Sequence, residues 1–276
     1  NHLIKMSQFL LIGAGIIGLT SAVRLLKEGF SVTVLEKGEV GQESSWAGGG
    51  ILSPLAPWDY SEPVTQLVDY STSIYSKWVN ELSLSTEIDP EFNECGMLVL
   101  PPYDSVKAHQ WCISQHIKEE INHKSFWSPI HQSALEEGIF LPRVAQIRNP
   151  RLLAALQREV IKRGGVIKEF CEVSKLNLKN KSIVSISTTS GNYSADGYII
   201  TAGAWSRKIL GKYALNLNII PIQGQMLLYK FDAPPIPSIL LQKELYLIPR
   251  LDGHLLIGST MENVGFNKQI TQAAYD

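Results

Sequence analysis

Apolar and polar positions follow two different periods along the chain, and the change from one to the other organises it. Residues 8–12 form a short apolar run, read as a buried strand. Residues 16–28 then show helical periodicity, closed by Gly29 as a C-terminal cap. Residues 31–36 (SVTVLE) are β-branched and predict the next strand. Strand, tight turn, helix and strand make one βαβ unit, hence a parallel sheet with a right-handed crossover.

After Ser61-Glu62-Pro63 a long helix is expected, with Leu67, Ile74, Trp78 and Leu82 along one stripe. Residues 97–100 read as a strand ended by Pro101-Pro102, and 104–123 as a helix. Residues 150–163 form an amphipathic helix with Pro150 near its start and Gly164-Gly165 after its end. From Val166 the period becomes that of strands: VIKEF, SIVSIST, YSADGYII, QMLLYKF, LYLIP and HLLIGST, with Asp252-Gly253 as a hairpin turn. This order predicts an α/β nucleotide-binding domain interleaved with an α+β domain built on a mixed or antiparallel sheet.

Composition narrows the class. The chain has 276 residues, 45% hydrophobic and 18% charged, with a formal net charge of −1. Enough apolar material is present for a sizeable core, and no basic run supplies a nucleic-acid footprint. Cys95, Cys112 and Cys171 are scattered and odd in number, so a reducing compartment is expected and a cytoplasmic location with it. The apolar stretch 9–23 is too short to cross a bilayer as a helix, and no membrane insertion is expected. MSQFLLIG reads as a natural start, with NHLIK preceding it.

The candidate chemistry begins at Gly13-Ala14-Gly15-Ile16-Ile17-Gly18, a GxGxxG that follows a strand and opens a helix. Gly13 allows the tight turn, Gly15 lets the backbone approach a pyrophosphate, and Gly18 lets helix and strand pack closely. The helix N-terminus presents unpaired N–H groups to phosphate. Glu36, closing the second strand, suits a ribose diol and disfavours a 2′-phosphate, an argument that the neighbouring Lys37 softens. A second bare segment follows in ESSWAGGGIL, where Gly48, Gly49 and Gly50 imply a close approach to the backbone.

The fingerprint with LEKG, SSWAGGGIL, NPRLLAALQREVIKRGG, TAGAWS, PIQGQ and YLIPRLDGHLLIGSTM resembles the D-amino-acid oxidase family of FAD enzymes, and within it the glycine oxidases of thiamine biosynthesis. These segments stand in family order over nearly the whole chain. The resemblance implies a Rossmann-like FAD-binding domain over 6–85 and 146–218 and a substrate domain over 86–145 and 219–276. It implies that Ser44 and Ser45 bond the cofactor and that Gly49, Gly50 and Ile51 touch the flavin. It places Val173 against adenine and Thr201-Ala202-Gly203 beneath the nucleotide, and assigns Tyr246 to the substrate. It further implies a GLRP-type arginine and a last flavin segment beyond Asp276.

The implied reaction is oxidation of glycine or a small D-amino or secondary amine to the imine. Hydride passes to flavin, and dioxygen reoxidises it with release of hydrogen peroxide. No catalytic base and no metal are expected. Two alternatives share the fold: a dehydrogenase passing electrons to a quinone or partner, and an inactive flavin-binding fragment. A homo-oligomer remains open. Arg250, beside the Asp252-Gly253 turn, reads as a solvated turn charge. Trp46 reads either as a flavin shield or as packing, and Trp205 as packing below the nucleotide. The seven-residue spacing of His109, His116 and His123 reads as a solvated helix face, and His131 and His254 as structural.

Overall fold

The computed structural model describes residues 7–117 and 137–270. His123, His131 and the far end of the helix expected over 104–123 lie outside them. By its internal contacts the chain divides into two compact units. One gathers the residues up to Gly48 with Val79–Pro90 and Arg148–Pro221; the other gathers Gly49–Trp78, Glu91–Ile147 and the residues from Ile222.

In the first unit, strands β1 (Gln8–Ile12) and β2 (Ser31–Leu35) pair in parallel, Leu10 opposite Thr33. The later strands β5 (Val166–Lys168) and β9 (Gly197–Ile200) flank them, giving the all-parallel order β5-β2-β1-β9. Leu10, Leu11, Ile12, Val32, Val34 and Leu35 are buried, as the strands of a parallel sheet covered on both faces require. Helix α1 (Ile16–Lys27) buries Gly18, Leu19, Ala22 and Val23 and ends at Gly29, whose φ is +85°. Leu10, Ile12 and Leu35 pack with Ile186 and Leu176, which belong to a small antiparallel sheet of β6 (Val173–Lys179), β7 (Ser182–Thr188) and β8 (Gly191–Tyr193). The segment YSADGYII is thus broken, its first residue ending β8 and its last four forming β9.

A long helix, Asn149–Lys162, buries Leu152, Leu153, Leu156 and Val160 and carries Pro150 in its first turn. Its Glu159 is also buried, accepting hydrogen bonds from Ser85 Oγ and from Arg163 Nε, each at 2.6 Å. Burial pushes the Glu159 carboxyl up, but the Ser85 hydroxyl and the Arg163 guanidinium outweigh it, so its pKa lies below the ordinary carboxylate value.

The second unit is built on a mixed sheet. Its strands β3 (Met97–Leu100), β4 (Ile139–Leu141), β10 (Met226–Lys230), β11 (Ile239–Gln242), β12 (Leu245–Pro249) and β13 (His254–Gly258) take the order β10-β13-β12-β11-β3-β4. Only β11 and β3 run parallel. Met97, Val99, Ile239, Leu241 and Ile248 form the core with Trp58. The hairpin joining β12 to β13 turns at Asp252-Gly253, with Gly253 at φ +87°.

Two helical expectations change. The helix Glu62–Thr86 forms, but its apolar stripe is buried only toward its C-terminal end. Val79 and Leu82 are buried, while Leu67 is 68% exposed and Ile74 45%. The helix begun by Asp104, whose carboxylate accepts the Lys107 N–H, ends at Ser114, and His116 takes a positive φ of 56°.

Candidate functional site

The fingerprint turn is held by main chain and by the Thr201 hydroxyl. Gly13 N donates to Leu35 O at 2.8 Å, and Thr201 Oγ1 donates to the carbonyls of Ile12 and Gly13, both at 3.0 Å. Gly13 has φ +108°, and a Cβ there would lie 2.5 Å from the Thr201 carbonyl oxygen. A Cβ on Gly18 would overlap the Gly13 carbonyl oxygen. Neither neighbour can yield, so both positions admit glycine only. Ser45 Oγ accepts the Ile16 N–H at 3.0 Å, which takes up one of the amides a helix start leaves open and keeps the hydroxyl proton for another partner. Ser45 therefore supports the helix start directly.

Glu36 is 7% exposed. One carboxylate oxygen accepts the Ala14 N–H at 2.8 Å and the other the Gly38 N–H at 3.1 Å. A carboxylate has roughly four acceptor positions, so capacity remains for ligand hydroxyls. These groups open on a cavity of about 700 Å³ within the first unit. It is lined by Gly13, Gly15, Ile16, Ile17, Glu36, Lys37, Ser44, Ser45, Val173 and Gly203, and by Cys171, Thr201 and Trp205. Ile17 is largely exposed, and Gly203 takes φ +50°. Lys37 Nζ stands 3.2 Å from the centre of the Trp205 ring and 3.1 Å from the Glu43 carboxylate. Trp205 is thus a cavity wall under a cation as well as packing.

Each member of the triple glycine is bare for a different reason. Gly48 ends the short helix Ser44–Ala47, its carbonyl accepts Asn149 Nδ2 at 2.8 Å, and a Cβ would meet that nitrogen at 2.9 Å. In the second unit, a Cβ on Gly49 would meet Ile248 Cδ1 at 2.6 Å and Tyr246 Cε2 at 3.4 Å. Gly50 takes φ +76°. The protein's own side chains and backbone conformation thus disfavour a side chain at all three positions before any ligand is considered. Trp46, beside them, is 48% exposed.

The Tyr246 ring lies against Gly49 and against Gly258, whose Cβ would meet Tyr246 Cε2 at 3.1 Å, and its hydroxyl reaches Met226 Sδ at 3.4 Å. Ile51 bridges Gln146, with Ile147 N donating to Gly50 O and Leu52 N to Ala145 O, both at 2.9 Å. Arg250 is no solvated turn charge. It is 5% exposed because strand alternation turns it to the same face as Tyr246 and Ile248. Its Nη1 donates to Gln146 Oε1 at 2.7 Å and to Ile147 O at 3.0 Å, and its Nη2 to Gly49 O at 2.8 Å. Gln146 and Asn149 carry no such signal in the sequence, whereas the burial of Arg250 is signalled by its place in the period-two pattern.

A family model described as FAD dependent oxidoreductase matches residues 8–276. The chain belongs to this family of FAD-dependent oxidoreductases. It is 36% identical to a glycine oxidase of Pseudomonas putida over 98% of its own length and 75% of the relative's. It is 38% identical to a glycine oxidase of Pseudomonas aeruginosa, over 96% and 74%. Among solved structures, the glycine oxidase of Bacillus cereus superposes with a TM-score of 0.86 at 23% identity, covering 98% of this chain and 75% of that one, which shows a shared fold.

The residues present fit the family's cofactor. The bare turn at Gly13 and Gly15, the helix start behind it and the spare acceptor capacity of Glu36 suit the pyrophosphate and ribose of FAD. Among the described residues no cluster of His, Cys, Asp and Glu could hold a metal ion, and no helix is long and apolar enough to cross a membrane.

Proposed function

We propose that this FAD-dependent oxidoreductase oxidises glycine or another small amino acid, passing the electrons to dioxygen. The observation that carries the reading is the 700 Å³ cavity, walled by the fingerprint turn and Glu36, in a chain 36% and 38% identical to two glycine oxidases. When bound, FAD supplies the hydride acceptor and the route to oxygen.

The chain's own residues bind and orient. Gly13, Gly15, Ile16, Ile17 and Gly18 offer backbone to the pyrophosphate, with Ser44 and Ser45 adding hydroxyls. Glu36 accepts from the ribose, Lys37 closes that wall against Trp205, and Val173 and Gly203 border the adenosine part. Gly48, Gly49, Gly50 and Ile51 are assigned to the flavin, and Tyr246 to the substrate. The Tyr246 ring is held between two glycine backbones, so its position is set by packing rather than by chance rotamers. No side chain is assigned as catalytic base. Residues 6–85 with 146–218 serve as the FAD domain and 86–145 with 219–276 as the substrate domain.

An absorption spectrum of the purified chain followed by anaerobic addition of glycine tests the reading. A yellow protein that bleaches with glycine and then yields hydrogen peroxide on admission of air is expected. A yellow protein that bleaches but reduces only dyes, without peroxide, would indicate a dehydrogenase. A colourless protein after reconstitution with FAD would overturn the assignment.

A further inference from the structure

Lys37 and Trp205 both line the cavity of the first unit, but they leave its sheet from different strands. Lys37 stands two positions after β2 ends at Leu35, and Trp205 five after β9 ends at Ile200. In the order β5-β2-β1-β9 those two strands lie on either side of β1. All are parallel, so their carboxyl ends share one edge of the sheet, with β2 and β9 about 10 Å apart. A contact between residues leaving those two ends arches over the end of β1, where the Gly13 turn begins. That crevice is where an open parallel sheet takes its ligand. The arch is anchored at both feet. Lys37 Nζ is 3.2 Å from the centre of the Trp205 ring and 3.1 Å from the Glu43 carboxylate. Trp205 N donates to Ala202 O at 2.9 Å, and the Glu43 carbonyl accepts the N–H groups of Trp46 and Ala47. Each charged side chain, Lys37 and Glu43, is only 31% exposed, so the pair is partly shielded from screening. A second ion pair on the cavity lining, Lys208 with Glu172, is wider at 3.8 Å and more than half exposed, a setting in which a pair contributes little.

We propose that Lys37, stacked on Trp205 and paired with Glu43, is a gate over the nucleotide cavity that must open both for FAD to enter and for it to leave. This rests on the functional reading above. Opening breaks the stack and the ion pair together, which holds the open form to roughly one part in ten or fewer. Loss of the stack therefore speeds both directions alike and leaves affinity where it is. A residue that touches the cofactor acts instead chiefly on release, and so on affinity.

The test measures FAD uptake by the chain after rapid mixing and FAD release from the loaded chain, both followed by flavin fluorescence. Lys37→Met and Trp205→Leu should each raise the association and release rates about tenfold, with Kd changed less than about twofold. The double variant should be no faster than either single one, because both remove the same contact. Lys37→Arg, which keeps the charge and also stacks on an indole, should return both rates toward wild type. Wild-type rates in Lys37→Met overturn the proposal. So does faster release with unchanged association, which would make Lys37 a direct cofactor contact. Should Trp205→Leu not fold, Trp205→Phe takes its place and should give rates between those of wild type and Lys37→Met; wild-type rates there again overturn the gate. A wild-type chain that takes up no FAD sinks the functional reading itself, and does so before any variant is made.

Discussion

The two bare segments of this chain, the turn Gly13–Gly18 and the loop Gly48–Gly50, look alike in sequence but owe their glycines to different neighbours. At the first, an added Cβ meets main chain: the Thr201 carbonyl at Gly13 and the Gly13 carbonyl at Gly18. At the second it meets the tips of side chains, Asn149 at Gly48 and Ile248 at Gly49, and Gly50 takes a positive φ. Main chain held in a parallel sheet cannot retreat, whereas a Cδ1 can. One segment is therefore intolerant by construction and the other is adjustable.

The sharpest way to break this contrast is Gly18→Ala. It should cost about 3 kcal/mol, with loss of FAD retention, and no single side-chain truncation nearby should restore it. Denaturant unfolding checks this; a Gly18→Ala protein of near-wild-type stability would erase the distinction. Gly49→Ala should cost about 1–2 kcal/mol. Combining it with Ile248→Val, which removes the obstructing Cδ1, should cost less than the sum of the two single changes. Additive costs would mean that the loop is as rigid as the turn. Gly50→Ala should cost about 1 kcal/mol from its positive φ, read by denaturant unfolding.

The smallest expected effect is one of pH. Glu159 belongs to the unit that carries the fingerprint, and its folded pKa is lowered. Its stabilisation is therefore present above the ordinary carboxylate value and is lost as pH falls through the lowered one. Acid should thus loosen that unit through Glu159, and Glu159→Gln should flatten the dependence at a cost of about 1–2 kcal/mol. Identical acid unfolding curves for wild type and Glu159→Gln would remove Glu159 from the account.

Much of the parallel sheet was legible because its signal is local. The run at residues 8–12, the glycine spacing and SVTVLE lie within thirty residues of one another and report one supersecondary unit. The family motifs carried the cofactor. What stayed hidden depends on partners distant in sequence. Arg250 is 201 positions from the Gly49 carbonyl it holds, so beside a DG turn it looked like surface charge. The stripe Leu67, Ile74, Trp78 and Leu82 has helical spacing, but spacing reports which side is apolar and not how far along the helix a core extends. The strands Val173–Lys179 and Ile239–Gln242 escaped because the first is half polar and the second is only four residues long.

The hydroxyl of Thr201 grips a carbonyl 188 residues upstream. On a ribosome adding 5–20 residues each second, Gly13 emerges roughly ten to forty seconds before the strand that completes its cradle. The first turn to be synthesised is thus among the last to acquire its final shape, and the nascent nucleotide pocket must wait for β9 before it can close on a ligand.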